Sequence, residues 1–135
     1  MRSFSNHRYI QNKKISDDGI KKWCVQILQG LEYLHSRSPP IIHKDLKCSN
    51  LFIDGTSSSI RIGDLGLASH INKESIISGT LEYMSPETLD MNIYNEKTDM
   101  YAFGMCILEL LTQSPPYSEC SSTGELLSKV LNVDC

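Results

Sequence analysis

The chain has 135 residues, 40% hydrophobic and 21% charged, with a formal net charge of −3. That length supports one compact core and is short for two ordinary domains. The charge balance excludes the strongly basic face or tail that nucleic acid or an anionic membrane surface would require. Five cysteines, Cys24, Cys48, Cys106, Cys120 and Cys135, form no Cys-x-x-Cys pair. Zinc and thioredoxin-type redox sites are therefore disfavoured, and free thiols in a reducing compartment are expected. The longest apolar run, near Cys106 to Leu111, is too short to span a bilayer. With no signal peptide visible, the expectation is a soluble cytoplasmic protein with neither nucleic acid nor membrane as partner.

Residues 1–14 are polar and weakly periodic, which fits a short frayed helix. Ile20, Trp23, Ile27, Leu31 and Leu34 then recur at helical spacing and predict a helix from about Asp17 to Ser36, its stripe widened by Val25 and Leu28. Ser16 is a good N-cap, Asp17 and Asp18 meet the positive end of the helix dipole, and Ile15 and Ile20 occupy the positions of a hydrophobic staple. Pro39-Pro40 must end this helix. Leu51 to Asp54 and Ile60 to Ile62 flank a Gly-Thr-Ser-Ser-Ser run and predict a loose β-hairpin. Residues 64–87 show no period and read as a long loop, a length that is uncommon unless functional. From about Glu96 to Thr112, Met100, Tyr101, Phe103, Met105, Ile107, Leu108, Leu110 and Leu111 cover nearly every side, so a helix buried all round is predicted. Ser114-Pro115-Pro116 ends it, and an amphipathic piece follows from about Thr123 to Val133. The fold class expected is mainly α with a small β-hairpin.

The residues that carry chemistry fall in the connections. His43-Lys44-Asp45-Leu46-Lys47-Cys48-Ser49-Asn50 lies between the first helix and the hairpin, and Asp64-Leu65-Gly66 follows the hairpin. Gly79-Thr80-Leu81-Glu82-Tyr83-Met84-Ser85-Pro86-Glu87 closes the long loop, and Asp99 sits near the start of the apolar helix. Phosphoryl transfer from a nucleotide needs a group that orients the attacking hydroxyl and accepts its proton, oxygen ligands for magnesium, and positive charge near the moving phosphoryl. Asp45, Asn50, Asp64 and Lys47 supply that set. Asparagine and aspartate are hard oxygen donors, and magnesium takes only one or two protein carboxylates beside phosphate oxygens. In an extended loop Lys47 projects to the same side as Asp45.

In order and spacing these blocks resemble the protein-kinase signature H-R-D-L-x-x-x-N, D-F-G and A-P-E. Each triplet alone would mean little; their order and context make the resemblance specific. It implies a partial kinase domain over residues 1–135: the C-terminal lobe of the α+β kinase-like fold, with the N-terminal lobe missing. The catalytic loop would be 43–50, the activation segment 64–87 and the central helix about 96–112. By the same resemblance Asp45 is the catalytic base, Lys47 contacts the transferred phosphate of ATP, and Asn50 and Asp64 bind Mg2+. The Thr80 hydroxyl bonds to the Asp45 and Lys47 pair, and Asp99 anchors the catalytic-loop backbone. His43 and Leu65 stack in a hydrophobic spine, and Glu87 usually pairs with an arginine further along the chain. Substrates would be protein serines and threonines, with a downstream kinase as one candidate. Pro-Pro-Ile-Ile-His-Lys-Asp-Leu-Lys-Cys-Ser-Asn-Leu-Phe-Ile, Ile-Gly-Asp-Leu-Gly-Leu-Ala and Tyr-Asn-Glu-Lys-Thr-Asp-Met-Tyr-Ala-Phe-Gly-Met-Cys-Ile-Leu-Glu are similar to the with-no-lysine kinases, whose ATP-binding lysine lies in the glycine-rich strand.

Departures are few. Lys44 stands for the usual arginine, Leu65 for phenylalanine, Leu81 for proline and Ser85 for alanine. Ser75 and Ser78 are candidate phosphosites because Lys44 could pair with an added phosphate, although loop serines are common. The sequence holds no glycine-rich loop, ATP-pairing lysine or regulatory-helix glutamate, so an inactive fragment of an active kinase is expected. The alternative is a non-catalytic kinase-like binding module. A small-molecule kinase of the aminoglycoside phosphotransferase type shares H-x-D-x-x-x-x-N, but Lys47, Gly79-Thr80 and Ser85-Pro86-Glu87 argue against it. His7, His35 and His70 show no ligand spacing and read as surface or packing residues, and Cys48 as a small buried side chain.

Overall fold

A computed structural model describes residues 2–3, 16–70 and 77–132. Helix α1 runs Asp17–His35. The Ser16 hydroxyl accepts the Gly19 amide at 3.2 Å, as the capping signal predicts. Trp23, Ile27, Leu31 and Leu34 are its buried stripe. Val25 and Leu28 do not widen that stripe: they are 53% and 37% exposed. At 100° per residue each lies off the line that Trp23, Ile27 and Leu31 draw. Ile15, the expected staple partner, lies outside the described residues.

Five short strands occur among the described residues, numbered in chain order: β1 (Arg2–Ser3), which precedes α1, then β2 (Ile41–Ile42), β3 (Leu51–Ile53), β4 (Ile60–Ile62) and β5 (Ser69–His70). The predicted hairpin forms from β3 and β4, with Leu51 opposite Ile62 and Ile53 opposite Ile60. Two additions enlarge the predicted β content. β1 pairs with β3, giving a three-stranded sheet in the order β1-β3-β4, and β2 pairs with β5 in a second, antiparallel sheet. Arg2 and Ser3 are thus extended rather than helical; the rest of residues 1–14 lies outside the description. Strands of two residues are too short for alternation to show in sequence.

The stretch read as a loop, 64–87, contains β5 and the start of α2 (Pro86–Met91). Ser85 as N-cap, proline in the first turn and Glu87 behind it are a helix-start signature, hidden here inside a motif read for function. Helix α3 (Glu96–Thr112) keeps its predicted bounds, secured by a capping box between Asn95 and Thr98. Its burial differs from expectation. Thr98, Asp99, Ala102, Cys106 and Leu110 are buried, whereas Met100, Leu108 and Leu111 are 44%, 46% and 62% exposed. An apolar composition fixes no burial by itself; the faces toward α1, the catalytic loop and the Leu81–Tyr83 turn are the ones in contact here. Helix α4 (Thr123–Leu131) starts at the Ser122 cap, and Val133 lies outside the described residues.

The core joins Trp23, Ile27 and Leu31 of α1, Leu51, Ile53 and Ile60 of the hairpin, Ala102, Cys106 and Leu110 of α3, and Leu46 and Cys48 between them. Two polar contacts fix the hairpin to α1: the Trp23 indole donates to the Ser58 carbonyl at 2.9 Å, and the Ile60 amide donates to the Gln26 side-chain oxygen at 2.8 Å. Burial alternates through residues 45–50. Leu46, Cys48 and Asn50 point inward, and Asp45, Lys47 and Ser49 remain partly open. Lys47 is extended and leads into a 3₁₀ turn, Cys48–Asn50; with Leu46 and Cys48 packed in the core, Asp45 and Lys47 are left together on the open side.

Candidate active site

Asp45, Lys47 and Thr80 close a triangle. The Thr80 hydroxyl donates to Asp45 Oδ1 at 2.7 Å and accepts from Lys47 Nζ at 2.7 Å, and Lys47 Nζ lies 2.9 Å from Asp45 Oδ2. The Asn50 amide nitrogen adds bonds to the Asp45 carbonyl at 2.8 Å and to Oδ2 at 3.1 Å. Burial alone would raise the Asp45 carboxyl; bonds from Lys47, Thr80 and Asn50, with the lysine charge, outweigh it and hold the pKa below the ordinary aspartate value. Asp45 is therefore ionised at neutral pH. Its side chain is 11% exposed and that of Lys47 25%.

The loop is held from beneath by Asp99 of α3. This carboxylate, 1% exposed, accepts the His43 amide at 2.8 Å and the Lys44 amide at 3.0 Å. His35, at the end of α1, brings Nε2 to 2.8 Å from the same carboxylate, with its side chain 14% exposed. His35 is thus a partner of the loop anchor rather than a bystander. No sequence signal reveals this, because its partner lies 64 positions away. His43 is fully buried; its Nδ1 accepts the Asp45 amide at 3.3 Å, and Nε2 donates to the Gly63 carbonyl at 3.0 Å. Leu65, expected to stack with His43, is instead 54% exposed. The 3₁₀ turn Leu65–Leu67 buries none of its residues, because Asp64 enters it in the left-handed conformation (φ 57°) and caps it through Gly66.

The hairpin register brings the two oxygen-ligand candidates together. The Gly63 amide donates to the Asn50 carbonyl at 2.8 Å, so Asp64 starts one residue past Asn50's cross-strand partner. Because the Asn50 amide nitrogen is committed to Asp45, its Oδ1 is the atom left for a cation. One amide oxygen and one exposed carboxylate fit magnesium, which completes its shell with phosphate oxygens and water.

Gly79 has φ 124°, and a Cβ there would lie 2.6 Å from the Lys44 carbonyl oxygen. Gly79→Ala is expected to destabilise the protein by about 1–3 kcal/mol and to loosen Thr80, from the left-handed backbone alone; urea unfolding checks it. Beyond Thr80, the Tyr83 hydroxyl donates to Glu109 of α3, and burial with that carboxylate pushes the Tyr83 pKa up. A groove of about 740 Å³ opens here, bordered by Lys47, Thr80, Tyr83, Glu109 and Tyr117. Glu87 is half-buried and forms no salt bridge among the described residues. Ser78 is held through its backbone by Tyr94, and Ser75 lies outside the described residues.

The site is thus a loop carboxylate bonded to a lysine, a threonine and an amide, with a second carboxylate across the hairpin. The Protein kinase domain family matches residues 1–133, and the chain belongs to that family. Within it the sequence is similar to the with-no-lysine branch. It is 51% identical over 123 residues to the Caenorhabditis elegans Serine/threonine-protein kinase WNK, covering 89% of this chain and 6% of that protein. It is 49% identical over 121 residues to the rice Probable serine/threonine-protein kinase WNK9, covering 89% of this chain and 29% of the relative. The Phycomyces blakesleeanus Serine/threonine-protein kinase pkpA is 51% identical over 112 residues, with 82% of this chain and 18% of the relative covered. The chain therefore spans less than a third of the length of these curated relatives.

Proposed function

We propose that the chain forms the catalytic and substrate-facing part of a serine/threonine protein kinase, which moves the γ-phosphoryl group of ATP to a serine or threonine hydroxyl of a protein substrate. The closed Asp45–Thr80–Lys47 triangle carries this reading. Asp45 accepts a hydrogen bond from the incoming hydroxyl and takes its proton as the new O–P bond forms and the bond to ADP breaks. A carboxylate of lowered pKa is a weak base, which suits a loose transition state in which the hydroxyl loses its proton late. Lys47 is close enough to Asp45 to meet charge on the moving phosphoryl, and Thr80 fixes the distance between the two. Asn50 and Asp64 would hold magnesium, which neutralises charge on the phosphates when bound. His43 and Asp99 support the loop backbone.

The groove beside Thr80 gives a substrate segment a place to lie. We also read the protein as cytoplasmic: Cys24, Cys48, Cys106 and Cys120 are unpaired, and no helix among the described residues is long and apolar enough to cross a membrane. The 135 residues contain no glycine-rich phosphate loop, so the test uses the longest form of the protein that carries this chain. With magnesium and γ-labelled ATP it is expected to label serine or threonine in a protein mixture, and Lys47→Ala is expected to lower kcat/KM by about 10²- to 10³-fold. Label on tyrosine, or none on protein, would contradict the proposal.

A further inference from the structure

Thr80 comes to the catalytic loop from far along the chain, and something must keep it there. Tyr94, in the connection between α2 and α3, touches both sides of that junction. Its hydroxyl accepts the Ser78 amide at 2.8 Å and donates to the Ser78 carbonyl at 2.8 Å. Its ring lies beneath the Lys44 ammonium, 4.6 Å from the centroid. Lys44 is 8% exposed, has φ 69°, and is the residue before Asp45; its amide is held by Asp99. Ser78 is two residues before Thr80. One aromatic side chain thus grips the chain next to each end of the Thr80–Asp45 bond.

We propose that Tyr94 is a positioning residue: it clamps Ser78 to the Lys44 turn so that the Thr80 hydroxyl reaches Asp45 and Lys47. The proposal rests on the kinase reading above. Two hydrogen bonds, one to each of the peptide groups that flank the Ser78 Cα, fix both the place and the tilt of the Ser78 backbone, which the single ring-to-cation contact could not do. Gly79 lies between clamp and Thr80 and passes so near the Lys44 carbonyl that a Cβ would come within 2.6 Å of its oxygen. A misplacement of about 1 Å at a reacting group can cost about 10²-fold in rate, so a clamp acting only on the backbone matters to turnover. The same residue read as mere packing would contribute to stability and leave the chemical step untouched.

Tyr94→Phe keeps the ring and its contact with Lys44 and removes only the hydroxyl. Expected results are a fall of about tenfold in kcat, an unchanged KM for ATP, an unfolding midpoint close to that of the parent, and faster hydrogen exchange at the Ser78 amide. The fall should vanish in a Thr80→Ala background, because the clamp then has nothing to place. Parent-like kcat in Tyr94→Phe, or effects of the two substitutions that multiply independently, would overturn the proposal. Exchange at Ser78 separates its failure from that of the kinase reading. If the parent transfers no phosphate the kinase reading falls, and unchanged exchange in Tyr94→Phe overturns the clamp itself.

Discussion

Asp45→Asn is expected to lower phosphoryl transfer by about 10²- to 10⁴-fold, the range for loss of a positioned general base, with the fold intact. The asparagine keeps the size of the carboxylate and can still accept from Thr80 or Lys47. It cannot take a proton, and it presents an amide toward donors that already point at it. Single-turnover rates with saturating ATP measure the effect directly, beside an unfolding curve. The pH dependence has a definite sign. The folded pKa of Asp45 is depressed, so its contribution to stability is present above the ordinary aspartate value of about 3.9 and is lost as pH falls through the lower folded value. An acid limb in the rate profile well above that value would belong to another group.

Asp99→Ala is the change expected to cost most stability, about 3–5 kcal/mol, because it leaves two buried amides without an acceptor, at about 1–3 kcal/mol each, and opens a cavity. The carboxylate serves the His43 amide, the Lys44 amide and His35 at once, at 1% exposure. Its removal leaves buried donors without acceptors and opens a cavity under the loop. Lys44 holds φ 69° only because its surroundings determine it, so the loop should also lose its presentation of Asp45. Urea unfolding checks the first effect. A loss below about 1 kcal/mol, the net worth of one ordinary hydrogen bond, would mean that Asp99 is not the anchor described.

Much of this was legible in the residues, for reasons that differ by element. Helix α1 announces itself by apolar spacing and a cap, and α3 by a run of apolar residues closed by Pro115-Pro116. The hairpin follows from two β-rich runs around a polar turn. Asp45, Lys47, Asn50 and Asp64 were readable because their chemistry and spacing occur together. Some losses are local, such as the start of α2 inside a motif read for function and strands of two residues; the others are matters of tertiary contact. Which faces of α1 and α3 are covered depends on partners far along the chain, so Val25, Leu28, Met100 and Leu111 were assigned too much burial. Leu65 was expected in a stack and lies in an open turn. His35 and Tyr94 carry no local signal, since each acts on residues that only the fold brings near.

The most direct test of the account is transfer of labelled γ-phosphate from magnesium ATP to protein serine or threonine, measured for the longest form of the protein carrying this chain and for its Asp45→Asn variant. The account predicts incorporation by the parent and a loss of at least about 10²-fold in the variant, at matched folding. Equal incorporation by both, or none by a folded parent, would contradict it.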